Sequence, residues 1–184
     1  MRNTLLAIVL FGACVALAPG HADQNDDHLD TLFELLQTTE NRYEGAEITR
    51  QIWRRWLEIE DENAAELMET GIAYLDEQKL DKALAIFTRI TEIKPDFAEA
   101  WNKRATVYYL LGDYEKSLND VDKTLSLEPR HFGALSGQAL IYLHSGDRIS
   151  AMSGFRKALS INPFLGNVRR NIEFLERELR QHLV

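Results

Sequence analysis

Histidines and carboxylates are the residues of this chain that could act as base, acid or metal ligand, and their spacing argues against each use. His28, His131, His144 and His182 share no ligand spacing, whereas a zinc site draws its ligands in closely spaced pairs that one local element can aim at the ion. Surface or helix-capping roles are expected for them, and no metal. No Gly-x-Ser-x-Gly turn, phosphate loop or His-Glu-x-x-His pair occurs, so nothing sets a nucleophile beside a base or cradles a phosphate. The acidic residues, 29 Asp and Glu against 21 Lys and Arg, fall mostly on predicted solvent faces. No catalytic residue and no cofactor is implied. The formal charge of −8 also disfavours a chain that neutralises nucleic-acid phosphates or adsorbs on anionic lipid.

Other residue types recur with a fixed period. Pro95, Pro129 and Pro163 follow one another 34 residues apart, and further columns keep that step: Leu67, Trp101 and Leu135; Gly71, Ala105 and Ala139; Tyr74, Tyr108 and Tyr142. Ala83, Ser117 and Ala151 form a small-residue column, followed by Phe87, Val121 and Phe155 and by Ile90, Thr124 and Ala158. Such self-similarity is the signature of a repeat architecture.

Within each copy the apolar positions fall three and four apart in two runs, which predicts two helices per copy. Gly112-Asp113 and Gly146-Asp147 separate the runs in the second and third copies; the first has Gln78-Lys79, a weaker turn signal. Proline closes each second helix because it cannot continue the hydrogen-bond ladder. The small residues let antiparallel helices approach closely, while the aromatic columns fill the neighbouring gaps. One such hairpin cannot bury its apolar face alone, so the copies must stack into an all-α solenoid. The 45% hydrophobic content is enough for one such domain.

At about 100° per residue, the core stripe Trp101, Ala105 and Tyr108 of the middle copy leaves Glu99, Asn102, Thr106, Tyr109 and Leu110 on the opposite face. The equivalent positions are Ala65, Met68, Ile72, Leu75 and Asp76 in the first copy, and Gly133, Ser136, Leu140, Leu143 and His144 in the third. Met68, Ile72, Leu75, Leu140 and Leu143 would together make an apolar patch on a face turned away from the core.

The repeat resembles the tetratricopeptide repeat family over about residues 63 to 164. In the middle copy Trp101, Ala105, Tyr108, Ser117, Val121, Thr124 and Pro129 stand at the family's signature offsets, and Leu-Gly-Asp-Tyr at 111 to 114 fits its turn. The resemblance implies that the face just described lines a concave groove for a polypeptide. Apolar side chains of a partner would be gripped there, while Asn102, Lys103, Thr106 and Ser136 bond its backbone. Some members hold a partner's carboxyl terminus with lysine, asparagine and arginine on this face. Met68, Ile72, Gly133 and Gly137 stand at several of those places here, so that use is not expected. Whether the chain's own N-terminal helices already cover the groove is open at this level.

The flanks read as accessory segments. Leu5 to Leu17 is an apolar run behind Arg2, ending near Gly20-His21-Ala22, which predicts a bacterial-style export leader cut after Ala22. Cys14, the single cysteine, falls inside it; a second reading takes Phe11-Gly12-Ala13-Cys14 as a lipid-attachment signal. Residues 23–62 hold an acidic tail and a helical pair carrying Leu29, Leu32, Phe33, Leu36, Ile48, Ile52, Trp53 and Trp56, with Trp53 and Trp56 expected to plug the open end of the first repeat. Residues 63–96, 97–130 and 131–164 are the three repeats. Residues 165–184 are a closing helix with Leu165, Val168, Ile172, Leu175, Leu179 and Leu183 on one stripe. The expected whole is a periplasmic or secreted, non-catalytic adaptor of the cell envelope that binds a protein segment without stable membrane insertion. The alternative is a self-associating or permanently incorporated envelope subunit.

Overall fold

The computed structural model describes residues 27–181. The predicted leader with its cut after Ala22, Cys14, the start of the acidic tail, His182 and Leu183 lie outside them. Among the described residues every regular element is an α-helix: α1 (Asp27–Thr38), α2 (Arg42–Leu57), α3 (Glu62–Asp76), α4 (Leu80–Ile93), α5 (Ala98–Leu111), α6 (Tyr114–Leu127), α7 (Phe132–His144), α8 (Arg148–Ile161) and α9 (Gly166–Gln181). The hairpins α3/α4, α5/α6 and α7/α8 stack in chain order, and α9 closes the stack on α8. No helix among them is long and apolar enough to cross a membrane.

Local chemistry sets the hairpin turns. Gly112 and Gly146 take φ of 79° and 82°, the left-handed conformation that ends a helix without a Cβ penalty. Asp113 and Asp147 then cap the next helix by accepting the backbone N–H of Lys116 and of Ser150. In the first copy Gln78 occupies the same position with φ 57°, and Lys79 provides no side-chain cap. Left-handed backbone strains a side chain by about 1–2 kcal/mol, while glycine returns about 0.5–1 kcal/mol of that as unfolded-state entropy. Gln78→Gly should therefore stabilise the chain by about 0.5–1 kcal/mol, read as a higher urea midpoint at unchanged m-value; an unchanged or lower midpoint contradicts the strain.

The small-residue columns seat the helices. Ala83, Ser117 and Ala151 are all buried, and a Cβ placed on Gly71 would lie 2.6 Å from Phe87 Cε1, so only glycine fits there. Ser117 Oγ donates to the Ala105 carbonyl at 2.8 Å, joining α6 to α5. Arg104 fixes the same pair from the other side, with Nε and Nη2 donating to the two oxygens of Asp120 at 2.7 and 2.8 Å and Nη1 donating to Thr91 on α4. Trp101 covers this fork at 4.7 Å and donates Nε1–H to the Pro95 carbonyl.

The N-terminal hairpin does not continue the stack, and Trp53 and Trp56 do not plug the first repeat. Helices α1 and α2 fold back onto the third. Leu29, Leu32, Phe33, Leu36, Ile48, Ile52 and Trp56 share one core with Phe132, Leu135, Ala139, Met152, Phe155, Val168 and Leu175. Polar bonds fix the register: Gln37 Nε2 donates to the Ser160 carbonyl, Asn162 Nδ2 to Thr49, and Arg130 to Asp30. Gly45 lets Phe164 in, since a Cβ there would lie 2.4 Å from its ring. The physical reason is the larger apolar surface available: α7, α8 and α9 offer aromatic and aliphatic side chains along their whole length, which one end face of the first hairpin does not.

Candidate functional site

Between α5 and α7 the stack leaves a hollow of about 490 Å³. Its floor is made of small and apolar side chains, Ala105, Val121, Phe132 and Ala134. Thr106, Tyr109 and Leu110 form the α5 wall, Ser136, Gly137 and Leu140 the α7 wall; Trp53 from α2 and Leu165 and Asn167 from the segment after α8 complete the lining. Leu110 is 53% exposed, at the mouth. No charged side chain lines the hollow.

Of the residues that the sequence pointed to, Asn102, Thr106, Tyr109, Leu110, Gly133, Ser136 and Leu140 are brought together here. The others are not. Met68 is 3% exposed and packs with Phe87, Phe97, Ala100 and Val107; Ile72 and Leu75 pack on that same cluster. The first repeat therefore keeps little of the expected patch: Met68 is buried against α5 and Ile72 and Leu75 are half-buried. Leu143 packs on the core shared with the N-terminal hairpin, and His144 stands exposed beside Tyr114 at 4.6 Å.

Glu99 and Lys103 are withdrawn into an internal network. Glu99 is 1% exposed; its Oε2 accepts from Asn102 Nδ2 at 3.1 Å and from His131 Nε2 at 2.8 Å, and Lys103 Nζ sits 2.9 Å from Oε1. His131, fully buried, accepts the Ala134 N–H on Nδ1, so its hydrogen is assigned to Nε2 and is donated to Glu99. It caps α7, one of the roles expected for it. Trp56 stacks on the imidazole at 4.0 Å and 12°. Burial alone pushes the Glu99 carboxyl up, but the Lys103 ammonium and the His131 hydrogen bond outweigh it and hold the group below its ordinary value.

Sequence reasoning missed Trp53, Leu165 and Asn167 as lining, since each comes from a flank whose docking place no repeat period encodes. Gly133 and Gly137 both stand inside α7, and the structure separates their roles. A Cβ on Gly133 would lie 2.4 Å from the Trp53 ring; one on Gly137 would meet nothing within 4 Å. The first glycine admits the hairpin, the second keeps the hollow open.

The lining polar groups lean toward acceptance. The hydroxyls of Thr106 and Ser136 already donate to the carbonyls of Asn102 and Phe132, and Asn102 spends an N–H on Glu99. Their free lone pairs suit donors, such as the backbone N–H groups of a guest. Among the described residues no three His, Cys, Asp or Glu side chains gather as a metal site would require.

A tetratricopeptide repeat model matches residues 98–131, the second hairpin and its closing turn. A TPR repeat-containing protein of Rhizobium etli is 32% identical over 151 residues, 82% of this chain and 74% of that protein. Hsp70-Hsp90 organizing protein 3 of Arabidopsis thaliana is 27% identical over 124 residues, 65% of this chain and 22% of that protein. Among solved structures, the first TPR of Spaghetti (RPAP3) bound to an HSP90 peptide has a TM-score of 0.62 at 18% identity, covering 66% of this chain and 97% of that one. The Sgt2 TPR domain from Aspergillus fumigatus has 0.62 at 21%, covering 66% and 82%. At these identities the structural likeness is one of fold.

Proposed function

The chain belongs to the tetratricopeptide repeat family, and from that premise we propose that it is a non-catalytic adaptor holding a segment of another polypeptide between α5 and α7. The observation that carries this is the uncharged hollow of about 490 Å³ with an apolar floor and acceptor-rich walls. That volume suits one or two bulky side chains. The acceptors on Asn102, Thr106 and Ser136 meet the backbone that bears them. The HSP90 peptide held by the RPAP3 domain supports a polypeptide as the class of ligand. It does not transfer the charged terminus: at the places where some relatives carry basic side chains, Met68 is buried and Gly133 faces Trp53. The guest here is an apolar segment. The apolar leader at residues 1–22 supports an exported protein of a bacterial envelope, periplasmic or secreted, and the likeness to a Rhizobium etli protein supports a bacterial setting.

Gly137→Leu tests the reading. The added side chain enters open space, and leucine also favours the helix by about 1 kcal/mol over glycine, so the fold is retained or strengthened. Capture of partners from envelope extract by the immobilised protein should fall by about tenfold, as expected when an anchor side chain loses its pocket. A variant that is at least as stable and captures the same proteins at wild-type levels rules out the hollow as the binding site.

A further inference from the structure

The loop that closes the hollow has a second face. Leu165 and Asn167 line the apolar hollow, whereas Pro163, Phe164 and Gly166 line another of about 560 Å³ on the other side of the same segment. Arg42, Arg169 and Arg170 surround it together with Thr39 and Glu40. Three arginines thus line one hollow around an apolar step, on a protein whose formal charge is −8.

Glu40 offsets one of the three charges and leaves the lining net positive. Arg42 and Arg170 form no ion pair among the described residues, and Arg169 donates only to the Pro163 carbonyl, at 2.8 Å. Glu44, one turn into α2, accepts from Thr39 instead. The arginines also stand where helices disfavour them: Arg42 opens α2, and Arg169 and Arg170 lie in the first turns of α9, whose first turn holds no acidic residue. Positive side chains at a positive helix end raise the local potential rather than lowering it. The Arg170 guanidinium folds back over that end, with Nη1 3.8 Å from a Cβ position on Gly166. Such a concentration of donors and charge attracts carboxylates, which guanidinium binds through two parallel hydrogen bonds.

We propose that this arginine-lined hollow at the seam between α2 and α9 binds an acidic stretch of a partner polypeptide, its carboxylates on Arg42, Arg169 and Arg170 and an apolar neighbour against Phe164. The choice of a polypeptide over a small anion rests on the groove reading above, because the two hollows share the 163–167 segment and one guest can cross it. Charge recognition then sits at the seam, while the groove itself reads apolar side chains.

The test is a fluorescence-anisotropy titration of the full chain with two short, terminally blocked peptides. Each begins with a Leu-Phe pair; one continues with four Asp residues, the other with Asn at the same places. Wild type should bind the Asp peptide about tenfold more tightly at low salt, with an advantage that shrinks as salt rises. The combined variant Arg42→Gln, Arg169→Gln, Arg170→Gln, all exposed positions, should lose that advantage and bind the Asn peptide as wild type does. Gly137→Leu should weaken both peptides alike; if it weakens neither while the arginine variant still abolishes the preference, the groove reading fails and the seam stands. Equal affinity of the two peptides for wild type overturns the proposal, as does an Asp preference that survives the triple substitution. So does inorganic phosphate alone shifting the Arg42, Gly166 and Arg170 amides at concentrations where the Asp peptide shifts none.

Discussion

Replacing Trp56 by alanine is expected to release the N-terminal hairpin from the third repeat, at a cost of about 3–5 kcal/mol. Trp56 is the point where three separate elements meet. Its ring stacks on His131, lies 4.8 Å from Phe132 and 5.1 Å from Trp53 by ring centroids, and reaches back to Phe33 on α1. A cavity there is bordered by rings on different helices, which cannot collapse together without moving a backbone. One feature moderates the loss: the buried indole Nε1 has no hydrogen-bond partner among the described residues, and its removal recovers a desolvation penalty of about 1–3 kcal/mol, which places the result toward the lower end. Helices α3 to α5 share a different core, built on Met68, Phe87, Ile90, Phe97 and Val107. Release should therefore be sub-global. Amide exchange would show α1 and α2 losing protection while α3 and α4 keep theirs; unchanged protection in α1 and α2 would mean that Trp56 does not hold the hairpin.

The same region shows where sequence reasoning stops. Period carries neighbour relations, so the columns through Gly71, Ala83 and Phe87 and their equivalents located each hairpin and its partner. Even the weak first turn was legible, because Gln78 stands where the other copies have glycine. Residues 48, 52 and 56 announced a helix with a buried stripe, but a stripe states that something covers it and not what. The fold-back is decided by the total surface offered by α7, α8 and α9, a quantity with no period. Glu99 was misread for a related reason. The sequence places it on the groove face, where a carboxylate would stay open to a partner; here α2 laid over that face turns it into an interior, and His131 and Lys103 make the burial tolerable. Of the groove, the part between α5 and α7 was readable from helical angle alone. The part expected on α3 was reduced because α5 packs against that face, burying Met68 and half-burying Ile72 and Leu75.

Glu99→Gln should cost about 2–3 kcal/mol at neutral pH. The substitution leaves the Lys103 ammonium beside a neutral amide and offers His131 Nε2–H one acceptor that must also serve Asn102. Lys103 is 21% exposed by side chain and can turn part of the way to water, which keeps the loss below that of a fully enclosed charge. The pH dependence identifies the carboxylate itself. Lys103, His131 and Asn102 all face it; burial raises its proton affinity, but Lys103 and His131 outweigh that and hold it below the ordinary value of 4.5. A carboxyl depressed in the folded state contributes stability that is complete above its unfolded value and is lost as pH falls through the folded one. The gap between wild type and Glu99→Gln should thus be widest at neutral pH and narrow below about pH 4.5, since the variant has no proton to take up at this position. The other depressed carboxylates, among them Asp61 and Asp113, titrate in both proteins and cancel in the difference. Urea unfolding at a series of pH values reads the gap directly; one that stays constant into strong acid would show that the Glu99 charge contributes nothing. Because Glu99 and Trp56 both act by seating His131, the double variant should lose less than the two single losses combined. Strict additivity would separate the ion network from the aromatic stack and leave each to hold the hairpin alone.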